Sequence, residues 1–251
     1  MNITNKERAL LLACVLVFIL FFGGLLLFFR QQGDIKTTTT KNIRAFGALH
    51  PVPSPTLATL FSDNFSDNSQ NWDVGTDAKY GSTINNGTLT IMGANHKPFR
   101  EPLPSSADYD DVSVAVTMTL LQGDQNDSAG LYLRANGNIG QGYYIDIYGD
   151  DTYDIAKTTV DATQKIHATY LAEPQHSSAL HSKSQKNTVM VIMKGEHIVL
   201  LINNTVVKSV RDGEFTRGKI MLFVENGNSS SGVAASFDAI AVYPAPERLP
   251  S

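Results

Sequence analysis

The pattern of apolar and polar positions divides the chain into one uniform apolar segment and a long region of short, alternating segments. Residues 9–29 are apolar throughout and contain neither a charged residue nor a proline. A helix of this length spans roughly 30 Å, the thickness of the hydrocarbon core of a bilayer. The pattern therefore predicts a transmembrane helix over residues 9–29, preceded by a short cytoplasmic tail over residues 1–8.

A cleaved secretory signal is the alternative interpretation of this segment. The apolar part of such a signal usually has about 7–15 residues and is followed directly by a small-x-small cleavage site. Here the apolar run is longer and ends at Arg30, and the nearest pair of small residues, Ala45 and Ala48, lies well downstream. These features favour an uncleaved anchor in the lipid bilayer.

The residues on either side of the apolar segment are relevant to its orientation in the membrane. Basic residues lie on both sides, so their distribution alone does not place the N-terminus inside. The N-terminal tail is too short to form a domain, and the segment after the helix resembles an extracellular stalk. We therefore expect a single-pass protein of the cell membrane whose C-terminal domain is extracytoplasmic.

Residues 30–60 predict an extended linker. A run of threonines at 37–40 precedes prolines at 51, 53 and 55. Because proline fixes φ and lacks a backbone donor, this segment favours neither a helix nor a central strand. The linker is expected to hold the following domain away from the bilayer.

Short β-rich segments separated by turn residues fill residues 61–243, and a proline-rich tail follows at 244–251. Alternation of apolar and polar residues over such short segments is typical of strands in an antiparallel sandwich. The sequence therefore predicts an all-β fold of two antiparallel sheets. The segments with this pattern are 88–92, 112–121, 130–134, 143–148, 152–156, 188–193, 197–202, 205–210, 219–224 and 234–243.

Two tight hairpins are predicted near the middle of this region. Gly195 lies between two apolar segments, and Asn203 and Asn204 follow the second of them. Glycine and asparagine tolerate the left-handed backbone conformation that tight hairpins require. Trp72, the only tryptophan, is expected in the core.

Composition narrows the classes of function. The formal net charge is −4, and no basic stripe is interleaved with aromatic residues, which disfavours nucleic acid as a partner. The only cysteine, Cys14, lies within the predicted helix, so the folded domain has no disulfide. That usage is typical of a bacterial surface domain or a cytosolic one.

Several motifs occur in an order that resembles one family. The chain is similar to the concanavalin A-like jelly-roll domains, in the branch of 3-keto-disaccharide hydrolase and laminin-G-like modules. The resemblance covers residues 61–243 and implies a jelly-roll fold, but relatives include binding modules, lectins and glucanases. The motifs are FSDNFSD at 61–67, NNGTLTI at 85–91, GLYLR at 130–134, GYYIDI at 142–147, VIMKGEHIVLLINN at 191–204 and SFDAIAVY at 236–243.

The resemblance suggests a test for glucanase chemistry. Family 16 glucanases carry the pattern Glu-x-Asp-x-x-Glu, and retaining hydrolysis needs two carboxyl groups about 5–5.5 Å apart. The nearest stretch here has Tyr144, Asp146 and Gly149 at the three positions, so that chemistry is absent in this form and no catalytic residue is predicted. Asp154 and the acidic residues before it are expected in a solvated turn.

A ligand-binding surface is predicted from strand alternation. Tyr144, Asp146 and Tyr148 share one face of their strand, and Tyr132 and Arg134 share one face of the preceding strand. Aromatic rings can stack on sugars, while charged groups can bind their hydroxyls. The alternative is that the tyrosines are partly buried cross-strand pairs and that Arg134 pairs with Asp146.

Asp63 and Asp238 are candidate ligands for a structural calcium ion, because relatives of this fold hold one through acidic residues near both termini of the domain. Calcium takes 6–8 oxygen ligands, including carbonyls that a sequence does not reveal. The alternative is that Asp63 caps a turn and Asp238 accepts backbone hydrogen bonds. His167, His176 and His181 show no zinc-ligand spacing and are expected in a polar surface loop.

These observations favour a membrane-anchored, non-catalytic module that binds a carbohydrate or another cell-envelope polymer. The first alternative is an enzyme acting on glycosides or 3-keto disaccharides, as the resemblance implies. The second is a structural or sensory ectodomain that binds a protein partner.

Overall fold

The computed structural model describes residues 58–77, 79–94, 96–136, 140–227 and 232–250. The predicted cytoplasmic tail and transmembrane helix, and most of the predicted linker, lie outside these residues and stay predictions. Within the described part of the chain, no helix is both long and apolar enough to cross a bilayer.

One antiparallel sheet, called sheet 1, contains nine strands among the described residues. Its strands are β1 (Phe61–Asp63), β2 (Gly75–Thr76), β3 (Tyr80–Asn85), β4 (Thr88–Gly93), β6 (Val112–Gln122), β11 (Asn187–Lys194), β12 (His197–Ile202), β13 (Thr205–Arg211) and β15 (Val233–Pro244). Their hydrogen-bonded order is β13-β12-β11-β6-β15-β4-β3-β2, and β1 pairs with one end of β15.

The second antiparallel sheet, called sheet 2, contains in the described chain β5 (Pro98–Pro102), β7 (Ser128–Asn136), β8 (Gln141–Tyr148), β9 (Thr152–Val160), β10 (Ile166–His176) and β14 (Lys219–Glu225). Their hydrogen-bonded order is β10-β9-β8-β7-β14-β5. The two sheets confirm the predicted all-β antiparallel jelly-roll sandwich.

The core lies between the two sheets because strand alternation turns one side of each strand inward. In sheet 2, Leu131, Ile145 and Ile155 are completely buried on this inner face. In sheet 1, Val114 and Val191 are equally buried. The opposite side chains of sheet 2 therefore form an outer face, which is free to carry polar groups.

Two local predictions about this sandwich are confirmed. Gly195 has φ 55° in the hairpin between β11 and β12, and Asn203 and Asn204 have φ 48° and 67° between β12 and β13. Trp72 is 3% exposed, and its indole N–H donates a hydrogen bond of 2.7 Å to Oδ2 of Asp63.

The prediction of a surface loop after β9 is wrong in part. His167 and His176 lie in β10, an edge strand that pairs with β9. Most of β10 is exposed and two register shifts interrupt its pairing, so an apolar pattern is weak along it. The alternation of Ile166, Ala168 and Tyr170 is the signal that could have revealed this strand.

Candidate ligand-binding cleft

The outer face of sheet 2 carries a cleft of about 380 Å³. Sites for small ligands commonly measure roughly 300–1,000 Å³ and combine apolar walls with a few polar groups. This cleft is lined by Pro98, Arg100, Asn126, Ser128, Tyr144, Asp146, Tyr148, Asp154, Ala156, Thr158, Ile166, Ala168, Tyr170 and Glu225.

Strand alternation on β8 places three of the predicted ligand-binding residues in this cleft. Tyr144, Asp146 and Tyr148 line it, while Tyr143 and Ile145 point the other way into the core. The alternation of this strand was therefore read correctly from the sequence.

Tyr132 lies beneath the cleft rather than in its wall. It is completely buried, and its ring stacks on that of Tyr144 with centroids 4.1 Å apart. Arg100 lies above this pair, since its guanidinium carbon is 5.1 Å from the centroid of the Tyr132 ring and 5.5 Å from that of Tyr144. Nε of Arg100 also donates a 2.6 Å hydrogen bond to the Tyr144 hydroxyl. The predicted alternative of buried cross-strand tyrosines therefore holds for this pair, while Arg100 was not singled out from the sequence.

A pair of carboxyl groups forms the floor of the cleft. Asp146 on β8 and Asp154 on β9 are directly opposite each other in the strand register, where Cβ atoms are typically about 4.5–5.5 Å apart. Ser128 donates a 2.6 Å hydrogen bond to Oδ1 of Asp146, and Tyr148 donates one of 2.9 Å to Oδ2 of Asp154. Asp154 therefore lies in a buried strand, as the pattern of residues 152–156 predicts, and its placement in a solvated turn is wrong.

Burial makes these carboxyl groups retain protons. It raises the pKa of Asp154 to about 6. Burial, followed by the nearby charge of Asp154, raises the pKa of Asp146 well above its usual range. Burial also raises the pKa of Glu225, on the neighbouring wall of the cleft. Two carboxyl groups so close together do not both ionise easily, so the pair holds a proton near neutral pH.

Tyr170 provides an exposed aromatic surface at the rim of the cleft. This residue is 48% exposed. Tyr148 and Tyr170 also line an adjoining depression of about 580 Å³. The two depressions together form a groove that continues from Arg100, past the tyrosines, toward His176.

Arg134 does not join the other predicted ligand-binding residues. A register shift follows Leu133, and the φ of Arg134 is 46°, so strand alternation breaks at this residue. Its side chain is 1% exposed and makes an ion pair of 3.3 Å with Asp111 rather than with Asp146. The predicted shared face with Tyr132 is therefore wrong, as is the predicted Arg134–Asp146 pair.

The two candidate calcium ligands are occupied by protein groups. Asp63 accepts hydrogen bonds from the backbone N–H of Phe65 and from the indole of Trp72, so it caps a turn. Asp238 accepts a hydrogen bond from the Thr88 hydroxyl and lies 2.7 Å from Nζ of Lys186. Within the described residues, no group of three or more His, Cys, Asp or Glu side chains is arranged to hold a metal ion. The donor set therefore does not fit the predicted calcium site.

Solved structures with the same sandwich include proteins that bind or degrade polysaccharides. The carbohydrate-binding module CBM66 from Bacillus subtilis has a TM-score of 0.51 and 17% identity, covering 68% of this chain and 94% of that one. A Bacillus subtilis protein of unknown function with a galectin-like fold has a TM-score of 0.54 and 14% identity, covering 76% and 98%. The kappa-carrageenase of Pseudoalteromonas carrageenovora, solved with an oligotetrasaccharide of kappa-carrageenan, has a TM-score of 0.52 and 10% identity, covering 79% and 99%. At these identities the likeness shows the fold alone.

Sequence comparison gives the more specific result. A search of curated proteins found no match. The profile of the 3-keto-alpha-glucoside-1,2-lyase-like domain matches residues 58–242, which is nearly all of the described sandwich. The chain therefore belongs to the family of 3-keto-alpha-glucoside-1,2-lyase-like domains.

Proposed function

We propose that this domain binds a carbohydrate in the cleft on the outer face of sheet 2, without changing it chemically. The observation that carries the proposal is the composition of the cleft. It combines an exposed tyrosine ring, a guanidinium and several carboxyl groups on one face of sheet 2. Aromatic faces pack on the apolar faces of sugar rings, and charged groups hydrogen-bond their hydroxyls.

The form of the groove suits a chain of sugars more than a single one. The cleft and the adjoining depression meet at Tyr148 and Tyr170, so one elongated ligand can contact both. A glycan or cell-wall polymer offers such a repeating ligand.

Replacing Tyr170 with alanine is expected to weaken polysaccharide binding about tenfold, or ~1.4 kcal/mol, because a stacking surface is lost. The measurement is retention of the protein on a panel of immobilised polysaccharides, followed by a dissociation constant for the best ligand. Tyr80→Ala is the matched control, since Tyr80 is 40% exposed but packs on Phe99, outside the cleft. Equal loss in both variants, or in neither, would contradict the proposed site.

A second candidate function is an enzyme acting on 3-keto glycosides. The favouring observation is the pKa of Asp154, about 6, in a cleft of a domain of this family. A carboxyl group with such a pKa suits proton transfer near neutral pH. Conversion of a 3-keto disaccharide by the wild-type protein, lost in Asp154→Asn, would establish this function over simple binding.

We also propose that residues 9–29 anchor the domain in the cell membrane with the cleft on the extracytoplasmic side. The support is the length and uniform apolar character of that segment. Alkaline extraction of membranes is expected to leave the full-length protein in the pellet and to release a chain restricted to residues 58–251. Extraction of the full-length protein into the supernatant would refute the anchor.

A further inference from the structure

Acidic side chains outnumber basic ones in the lining of the cleft. Among the described lining residues, Asp146, Asp154 and Glu225 are acidic, while Arg100 is the one basic residue. Arg100 is already engaged by the hydroxyl of Tyr144 and by the faces of two tyrosine rings. The end of the cleft around Asp154 therefore presents acidic groups that no basic side chain of the cleft balances.

One carboxylate oxygen at this end of the cleft lacks a hydrogen-bond donor. Asp154 is completely buried and lines the cleft, and its Oδ1 has no hydrogen-bond partner among the described residues. A buried polar atom without a partner costs roughly 1–3 kcal/mol, and more when it is charged. A donor supplied by a ligand, or a proton shared with Asp146, would remove that cost.

We propose that the sugar bound in this cleft carries a protonated amino group, which lies against Asp146, Asp154 and Glu225. This inference rests on the proposed carbohydrate-binding function and names its ligand class. An ammonium supplies three donors together with a compensating positive charge, whereas a hydroxyl supplies one donor and no charge. Anionic polysaccharides are repelled by the same groups.

A metal ion is a poorer occupant of the same place. In the stretches that the structure describes, no cluster of three or more His, Cys, Asp or Glu side chains is arranged to hold a metal ion. An ammonium accepts looser geometry, because its donors rotate on a compact charge.

The protonation of the cleft supports this ligand class. Its acidic groups have raised pKa values because burial disfavours their charged forms. A cation bound beside them favours the charged forms, so the complex releases protons. The titratable and charged groups that face Asp154 from the surrounding strands are Asp146 and Tyr148 on β8, Tyr170 and Glu173 on β10, and Glu225 on β14, with Arg100 on β5 facing Glu225.

Oligomers of glucosamine and of N-acetylglucosamine of equal length provide a matched test. They share the same sugar ring, and the nitrogen is a charged ammonium in the first and an uncharged acetamide in the second. Calorimetric titration of the full-length protein in mild detergent at about pH 6 is expected to give at least tenfold tighter binding of the glucosamine oligomer. Titrations in buffers of different ionisation enthalpy are expected to show net proton release for that oligomer alone.

The double substitution Asp146→Asn with Asp154→Asn is expected to abolish the preference. Both amides keep oxygens that can accept from Ser128 and Tyr148, so the strand packing is retained. Glu225→Gln, on the half-buried wall, is the second variant and should reduce the preference without touching the floor. Asp67→Asn removes one formal negative charge, as Glu225→Gln does, but from an exposed loop, and it should leave the preference intact.

The outcomes separate the inference from the function on which it rests. Equal affinity for the two oligomers, tighter binding of the acetylated one, or an unchanged preference in the double variant overturns the inference and leaves carbohydrate binding in place. Failure of both oligomers and of every neutral polysaccharide in the panel overturns both.

Discussion

Replacing Arg134 with alanine is expected to lower the free energy of unfolding by about 2–4 kcal/mol, because a buried guanidinium that donates to several carbonyl oxygens at once is lost. The guanidinium donates to the carbonyl oxygens of Asp110, Gly195 and Phe215 at 2.8–3.3 Å. These residues belong to three different connections between strands. Arg134 therefore holds one end of the sandwich together, and urea unfolding of the purified protein measures its contribution.

A matched arginine on the surface provides the control for this prediction. Arg211 makes an ion pair with Glu196, and its side chain is 66% exposed. Exposed ion pairs contribute roughly 0–1 kcal/mol, so Arg211→Ala should have a small effect. Arg134→Lys should resemble Arg134→Ala more than wild type, since a lysine lacks the planar fork that reaches several carbonyls. Similar losses in Arg134→Ala and Arg211→Ala would contradict the role given to Arg134.

Stability is expected to fall with rising pH because of the carboxyl pair in the cleft. The pKa of Asp154 is about 6 in the folded protein, above its ordinary value of 3.8. The folded state therefore binds the proton more tightly than the unfolded chain does. The stability from this group is complete below about pH 4 and is lost as the pH rises through 6, by up to about 3 kcal/mol.

Asp154→Asn isolates this effect. The variant cannot ionise at this position, and its amide can donate to Asp146, so it should be about 1–3 kcal/mol more stable than wild type at pH 8. The gain should disappear near pH 4. Urea unfolding across this pH range measures the difference.

Asp161→Asn is the control of opposite sign. The pKa of Asp161 is lowered, first by the hydrogen bond with His167 and then by that with Thr163. Its stabilising contribution is present at neutral pH and lost in acid, so this variant should not become more stable at pH 8. A pH-independent difference between Asp154→Asn and wild type would contradict the description of the carboxyl pair.

The carboxyl pair bears on function because it opposes folding near neutral pH. A serine and a tyrosine donate to it, but no cation neutralises it among the described residues. Groups that cost stability and line a cleft are candidates for ligand contact. The proposed ammonium would supply the missing countercharge.

The alternation of side chains along a strand correctly predicted the cleft residues whose positions depend on one regular strand, β8. β8 is regular, so the outward positions of Tyr144, Asp146 and Tyr148 follow from a period of two. The same rule failed at Arg134, where a positive φ and a register shift turn the side chain away. A sequence pattern does not show where a strand departs from regular geometry.

The remaining parts of the cleft depend on pairing between strands that are distant along the chain or weakly patterned. Arg100 on β5 contacts Tyr144 on β8, although β14 and β7 lie between these two strands in the sheet. No local sequence pattern links the two residues. Asp154 acquires its raised pKa from burial on β9, and its position opposite Asp146 depends on the β8–β9 register. Tyr170 lies on β10, which the apolar pattern did not predict because most of this strand is exposed and its pairing with β9 is interrupted.

Carbohydrate binding in the cleft of sheet 2 is tested most directly by the footprint of a bound oligosaccharide on the folded domain, measured by hydrogen–deuterium exchange with the best ligand of the panel. We expect added protection in peptides from β8, β9 and β10, and none in β11, β12 and β13. Protection centred on sheet 1, or on the connections held by Arg134, would show that the ligand binds elsewhere and would contradict the proposed cleft.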